Sequence, residues 1–186
     1  MLAAVDLSDV RIETERLILR SWRESDLADM YEYASVPGVG EMAGWTAHKS
    51  LEESKMILGF FIGERKTLAL ELKENGKLIC SIGLENFEPK DPSGGEMQGR
   101  EIGYVLSKAY WGRGLMPEAV EAVIDYCFHT LNYDYVTCSH FKRNGQSRRV
   151  IEKNGFIYLE DSYFDTRCGT RETTCYYVKY NPRIKR

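Results

Sequence analysis

Gly112 and Gly114 flank Arg113 near the middle of the stretch from Glu101 to Ala119, EIGYVLSKAYWGRGLMPEA. Glycine lets a backbone approach a ligand closely and adopt conformations other residues avoid. The first N–H groups of a helix have no intrahelical partner, and the helix dipole adds positive potential beside them. A glycine-bearing turn that opens a helix is therefore an anion cradle, suited to phosphate, although a lone Gly-x-Gly also serves as a plain tight turn. Two familiar phosphate motifs are excluded: no Gly-Lys-Ser/Thr closes the loop, and no Gly-x-Gly-x-x-Gly follows a first strand. His48, His129 and His140 are scattered without Ser/His/Asp spacing, so neither a hydrolase triad nor a metal site is suggested, and a metal-independent reaction is expected. Cys80, Cys127, Cys138, Cys168 and Cys175 are odd in number and contain no Cys-x-x-Cys, which fits neither a disulfide framework nor a zinc knuckle. Cys127 and Cys138 fall on apolar faces and read as core residues.

Such a cradle needs a strand before it and a helix after it. Residues 100–107 supply the strand, and residues 115–131 a long amphipathic helix. That helix carries Met116, Ala119, Val120, Val123, Ile124, Cys127, Phe128 and Leu131 on one stripe. Its Pro117 sits in the first turn, where a missing N–H does no harm. Upstream, residues 11–22 read as one strand, and Ser25 or Asp26 caps a helix that stops before Pro37. A second helix opens at Ser50, with Glu53 completing a capping box and Ile57, Phe60 and Phe61 forming its apolar face. Leu68, Leu70 and Leu72, then Leu78, Cys80, Ile82 and Leu84, alternate on either side of Asn75-Gly76, the clearest hairpin. Residues 88–99 form a polar connection. Residues 133–141 read as a strand, 146–153 as a short helix ended by Asn154-Gly155, and 156–160 and 173–180 as strands. The order is an α/β layer with a seven-stranded mixed sheet covered by helices.

At 186 residues and 43% hydrophobic content, the chain suits one domain. Its net charge of -3, from 25 basic and 28 acidic side chains spread along the chain, gives no reason to expect nucleic acid. The first ten residues hold no basic n-region, and no 18-residue apolar run exists, so a cytoplasmic protein without membrane partners is expected.

Four pieces carry a resemblance: Thr14-Glu-Arg-Leu-Ile-Leu-Arg-Ser-Trp-Arg-Glu-Ser-Asp26, Glu101-Ile-Gly-Tyr104, Tyr110-Trp-Gly-Arg-Gly114, and the run from Asn144-Gly-Gln-Ser147 to Gly155-Phe156. Together they resemble the GNAT superfamily of N-acetyltransferases, in its branch of ribosomal-protein N-terminal acetyltransferases. The resemblance spans residues 10–181, leaving an N-terminal extension at 1–9 and a tail at 182–186. It implies an α/β (α+β) single domain with a mixed, mostly antiparallel seven-stranded sheet, splayed at its centre and covered by helices on both faces. It also implies acetyl-CoA as co-substrate and a primary amine as acceptor, in a monomer or homodimer.

The family's pyrophosphate loop aligns with Trp111, Gly114 and Met116, with backbone donors from Gly112, Arg113, Gly114 and Leu115. Met116 departs from the family's Gly or Ala and is expected to point into the core. By resemblance, Tyr104, Val105 and Leu106 form the splayed strand along which the pantetheine arm pairs. Asn144 would bond the pantetheine amides, a residue type that equally suits a helix cap. Arg113, Arg148 and Arg149 are phosphate candidates that also suit a solvated surface. Glu101 is implied as base or water-positioner for the amine. Ser147 is implied as proton donor to the departing thiolate, where many relatives use a tyrosine that this helix lacks. A backbone N–H near Val105 or Leu106 would polarise the thioester carbonyl. The acceptor side is expected at residues 38–49 and 163–172, with Glu41, Trp45, His48 and Tyr163. A protein N-terminus, a polyamine, an amino acid or an aminoglycoside would suit such a cleft. A non-catalytic acyl-CoA-binding module of the same fold, and an α/β interaction domain unrelated to coenzyme A, are the alternatives.

Overall fold

The computed structural model describes residues 5–86 and 97–184, so most of the expected polar connection at 88–99 lies outside the described residues. Its strands are β1 (Arg11–Glu13), β2 (Leu17–Ser21), β3 (Thr67–Leu72), β4 (Leu78–Glu85), β5 (Gly99–Leu106), β6 (Tyr135–Phe141), β7 (Ile157–Asp165) and β8 (Arg171–Tyr180). The helices are α1 (Leu27–Ala34), α2 (Leu51–Glu64), α3 (Leu115–His129) and α4 (Gly145–Lys153). They build one sheet in the order β1-β2-β3-β4-β5-β6-β8-β7. Every neighbouring pair is antiparallel except β5 and β6.

The sheet has eight strands rather than the seven expected, because residues 11–22 fold back on themselves. The Thr14 hydroxyl accepts the Leu17 amide at 3.0 Å, and the Thr14 amide donates to the Leu17 carbonyl at 3.0 Å. A threonine can make such a turn through its own side chain, without the glycine or proline that marks most reversals. Leu7, before the expected domain start, is buried in the main core.

Two apolar clusters sandwich the sheet. One joins the α3 stripe and Ile151 of α4 to residues such as Leu70, Ile82, Ile102, Cys138 and Tyr177. The other joins Met30, Tyr33 and Ala34 of α1 and Leu58 of α2 to Trp22, Ala69 and Leu78. Ser50 caps α2 by accepting the Glu53 amide at 3.2 Å, while the Glu53 carboxylate returns to the Lys49 amide at 2.6 Å rather than to Ser50. The buried face of α2 centres on Ser54 and Leu58, and Phe60, expected on that face, is 56% exposed. Arg20 crosses from β2 to Asp26 at the start of α1, with two contacts of 2.8 Å, and also reaches Glu71 on β3 at 2.8 Å. This buried cluster ties the first helix to the sheet.

The central feature is the β5/β6 junction. The two strands pair in parallel over Gly99↔Tyr135, Arg100↔Val136 and Glu101↔Thr137. Gly99 permits that approach, since a Cβ there would meet the Tyr135 ring at 2.5 Å. Beyond Glu101 the strands part: β5 follows β4 to Leu106, and β6 follows β8 to Phe141.

Candidate active site

A cavity of about 900 Å³ opens where β5 and β6 separate, with the start of α3 at one end and Glu101 deep within it. Gly112 (φ 78°) and Gly114 (φ 75°) both occupy the left-handed region, and Gly114 ends the turn as the N-cap of α3. No side chain caps this helix start, so its first amides keep the orphan state that a helix imposes. The Trp111 indole donates to the Leu106 carbonyl at 2.9 Å, tying the turn to the end of β5. From behind, Arg16 donates to the Arg113 carbonyl at 2.9 Å and to Glu118 at 2.7 Å. The Met116 side chain is buried in the main core, as its apolar character requires.

The arginines separate into different environments. Arg149 lines the cleft. Arg113 stacks on Tyr110, 4.9 Å from the ring centre, and Arg148 pairs with Glu152 at 2.7 Å, so neither side chain contributes to the lining. Asn144 caps α4, its Oδ1 accepting the Ser147 amide at 3.1 Å while its Nδ2 reaches the Met42 carbonyl at 3.4 Å.

The parted edge of β5 has a definite polarity. The Ser107 amide donates to Ile79 on β4, and alternation along an antiparallel pair then turns Val105 toward Ser81 on β4 as well. The backbone N–H groups of Tyr104 and Leu106 face the gap instead. Of the two amides singled out from sequence, only that of Leu106 faces the gap. The Tyr104 side chain crosses to α4, where its hydroxyl lies 2.8 Å from Ser147 Oγ. Burial pushes the Tyr104 phenol well above its ordinary range, so it stays protonated. The helix of Ser147 carries no tyrosine of its own, and the phenol beside Ser147 belongs to the facing strand β5.

Glu101 accepts a hydrogen bond from Ser139 Oγ at 2.5 Å. Burial raises its carboxyl to about 7, against the opposing pull of the Ser139 bond and with a further push from Glu85. Ser139 was missed from sequence, although its alternation with Thr137 and Phe141 along β6 places it on the Glu101 face. By contrast, burial pushes the Cys127 thiol up to about 12 and raises that of Cys138, which suits core residues.

Four residues expected to hold the acceptor are absent from the lining, although Met42 beside Glu41 and Phe164 beside Tyr163 belong to it. Glu41 turns its carboxylate to the Gly38 amide at 2.7 Å. Trp45 packs beneath Gly40, and its ring meets that of His48 at 5.1 Å. His48 is buried with its Nδ1 2.7 Å from Ser54 Oγ, and burial lowers its pKa. Tyr163 is 66% exposed on the outer strand β7. The cleft takes Val39, Met42 and Ala43 from the first segment and Phe164 from the second. In both segments backbone direction, rather than aromatic or charged identity, decides which residue faces inward.

A mixed sheet parted beside this helix start sets an unpaired strand edge and a row of free amides side by side in one cleft. A family model described as acetyltransferase (GNAT) domain matches residues 16–157, and the chain belongs to this family. A stretch of 62 residues is 47% identical to the probable N-acetyltransferase YjcK of Bacillus subtilis (strain 168), spanning 33% of this chain and 34% of that protein. The uncharacterized N-acetyltransferase p20 of Bacillus licheniformis is 27% identical over 149 residues, covering 77% of this chain and 80% of p20. The structure of a ribosomal-protein-S5-alanine acetyltransferase from Vibrio fischeri has the same fold, with a TM-score of 0.76 at 22% identity, over 96% of this chain and all of that one (100%).

Proposed function

We propose that this protein moves the acetyl group of acetyl-CoA directly to a primary amine while both are bound in the cleft. The observation that supports this most strongly is the continuity of one cavity from the uncapped α3 start, along the parted edge of β5, to Glu101. The residues fit the carrier: a Cβ at Gly112 would meet nothing within 4 Å, so the turn is open where a diphosphate would lie. Bound there, acetyl-CoA supplies an acyl group activated as a thioester.

The chain's own groups then divide the work. Amides of Gly112 to Met116 hold phosphate oxygens, with Arg149 beside them. The edge amides of Tyr104 and Leu106 and the Asn144 amide pair with the pantetheine arm. The Leu106 N–H also stabilises charge developing on the thioester oxygen. Glu101, held by Ser139, takes the proton of the incoming ammonium, directly or through water. Ser147, oriented by the Tyr104 hydroxyl, gives its proton to the sulfur and regains one through water from the second proton the amine nitrogen sheds as the amide forms. Holding amine and thioester together is the largest contribution, because correct placement alone removes several kcal/mol of barrier, up to about 7–11 in favourable cases. Free cysteines, four of them buried, suit a reducing, cytoplasmic setting.

A thiol-release assay across amines and peptide N-termini tests this reading. Release that requires both acetyl-CoA and an amine is expected. Tight binding of acetyl-CoA without release for any amine would mark an acyl-CoA-sensing module instead.

A further inference from the structure

Residues 39–45 form a strap that borders the cleft. The strap is folded on itself: the Gly40 carbonyl accepts the Ala43 amide at 2.8 Å and the Trp45 amide at 3.0 Å, and the Trp45 ring packs beside Gly40. It gives Val39, Met42 and Ala43 to the lining, in the same cavity as Glu101 and Ser139. At Gly44 it passes so close to Phe141 and Phe164 that a Cβ would meet both rings at 3.3 Å.

One side chain docks this strap onto the sheet. Arg143, in the turn between β6 and α4, sends Nη2 to the Glu41 carbonyl at 2.9 Å, Nη1 to the Met42 sulfur at 3.2 Å and Nε to the Glu172 carboxylate on β8 at 3.2 Å. Its guanidinium also lies 5.7 Å from the centre of the Phe141 ring. A rigid planar fork serves three directions at once, which an ammonium on a flexible stem cannot. Glu172 steadies the fork without itself lining the cavity. Two weaker ties accompany it: the Asn144 amide reaches the Met42 carbonyl at 3.4 Å, and the Arg167 amide donates to the Gly44 carbonyl at 2.8 Å.

Building on the acetyl transfer proposed above, we infer that Arg143 is a positioning residue for the acceptor, which holds the strap docked and thereby sets the affinity for the amine. An amine that binds only beside a docked strap loses apparent affinity in proportion to the docked fraction. Without Arg143 the strap keeps its internal bonds but spends part of its time undocked. At saturation the amine itself restores the docked state, so turnover is preserved. A plain charge effect has the opposite sign. A cation beside the cleft repels an incoming ammonium, and removing it would lower the KM for the amine.

Steady-state thiol release, with whichever amine or peptide N-terminus the protein uses best, tests this. Arg143→Ala is expected to raise the KM for the amine about tenfold or more, while kcat and the calorimetric affinity for coenzyme A stay within about twofold. Arg143→Lys keeps the charge but not the fork, and should raise KM by about threefold or more. Glu172→Gln should do the same by itself and add little to Arg143→Ala, since both act through one contact. An amine KM that is unchanged or lower in Arg143→Ala overturns the inference and leaves acetyl transfer standing. So does a fall in kcat or in coenzyme A affinity as large as the change in KM. If Arg143→Ala does not fold, Glu172→Gln decides, and an unchanged KM there overturns the inference. Absence of thiol release with every amine overturns acetyl transfer itself, and the inference with it.

Discussion

Glu101→Gln is expected to lower kcat/KM by about 10²- to 10⁴-fold, the usual contribution of a positioned general base. Glutamine keeps the size of the side chain and an oxygen to accept from Ser139, so the cleft should persist while the proton acceptor is lost. The pH profile supplies the sharper readout. With a carboxyl titrating at about 7, activity should rise as the pH passes through that value and the carboxylate forms, and this limb should vanish in the variant. Stability runs the other way. Burial favours the neutral acid, so the fold loses stability as the pH rises from the ordinary value of 4.5 through about 7. At pH 8 the glutamine variant should therefore be the more stable protein, by up to about 3 kcal/mol in urea unfolding, and near pH 4 the two should match. An unchanged pH profile with normal turnover would remove Glu101 from the chemistry.

Asp26→Ala is expected to produce the largest loss of stability, about 3–5 kcal/mol. The Arg20 and Asp26 side chains are 7% and 6% exposed, and Asp26 meets two guanidinium nitrogens at 2.8 Å. Its removal leaves a buried cation with Glu71 as its one remaining carboxylate, and also frees the Arg23 amide that Asp26 accepts at 2.8 Å. The urea midpoint should fall without a change in slope, since the surface exposed on unfolding is nearly the same. A loss below about 1 kcal/mol would mean that solvent reaches the cluster and screens it.

Periodic segments were legible from sequence because their burial is one-sided. The α3 stripe, the β3/β4 hairpin and the Asn144 cap all follow from residue spacing alone. The eighth strand was not legible, because Thr14 closes its turn with a side-chain bond that no glycine or proline announces. β7 was read as ending at residue 160 but continues to Asp165, since an outer strand exposed on both faces lacks the alternation that marks a buried one. The glycine turn that opens α3 was legible because it lies on contiguous residues. The meeting of Ser139 with Glu101 and of the Tyr104 hydroxyl with Ser147 was not, since each joins residues distant in sequence. Of the two segments expected to hold the acceptor, Val39, Met42, Ala43 and Phe164 line the cleft while Glu41, Trp45, His48 and Tyr163 do not, a matter of which way each backbone turn faces.

On the proposed function, the α3 start and the parted edge of β5 together hold the diphosphate and arm of coenzyme A. Hydrogen–deuterium exchange with and without saturating coenzyme A tests it most directly. The ligand is expected to slow exchange at Tyr104, Leu106 and residues 112–116, while α2 and β7 exchange as before. Exchange at those amides that coenzyme A leaves unchanged, with protection elsewhere or nowhere, would contradict it.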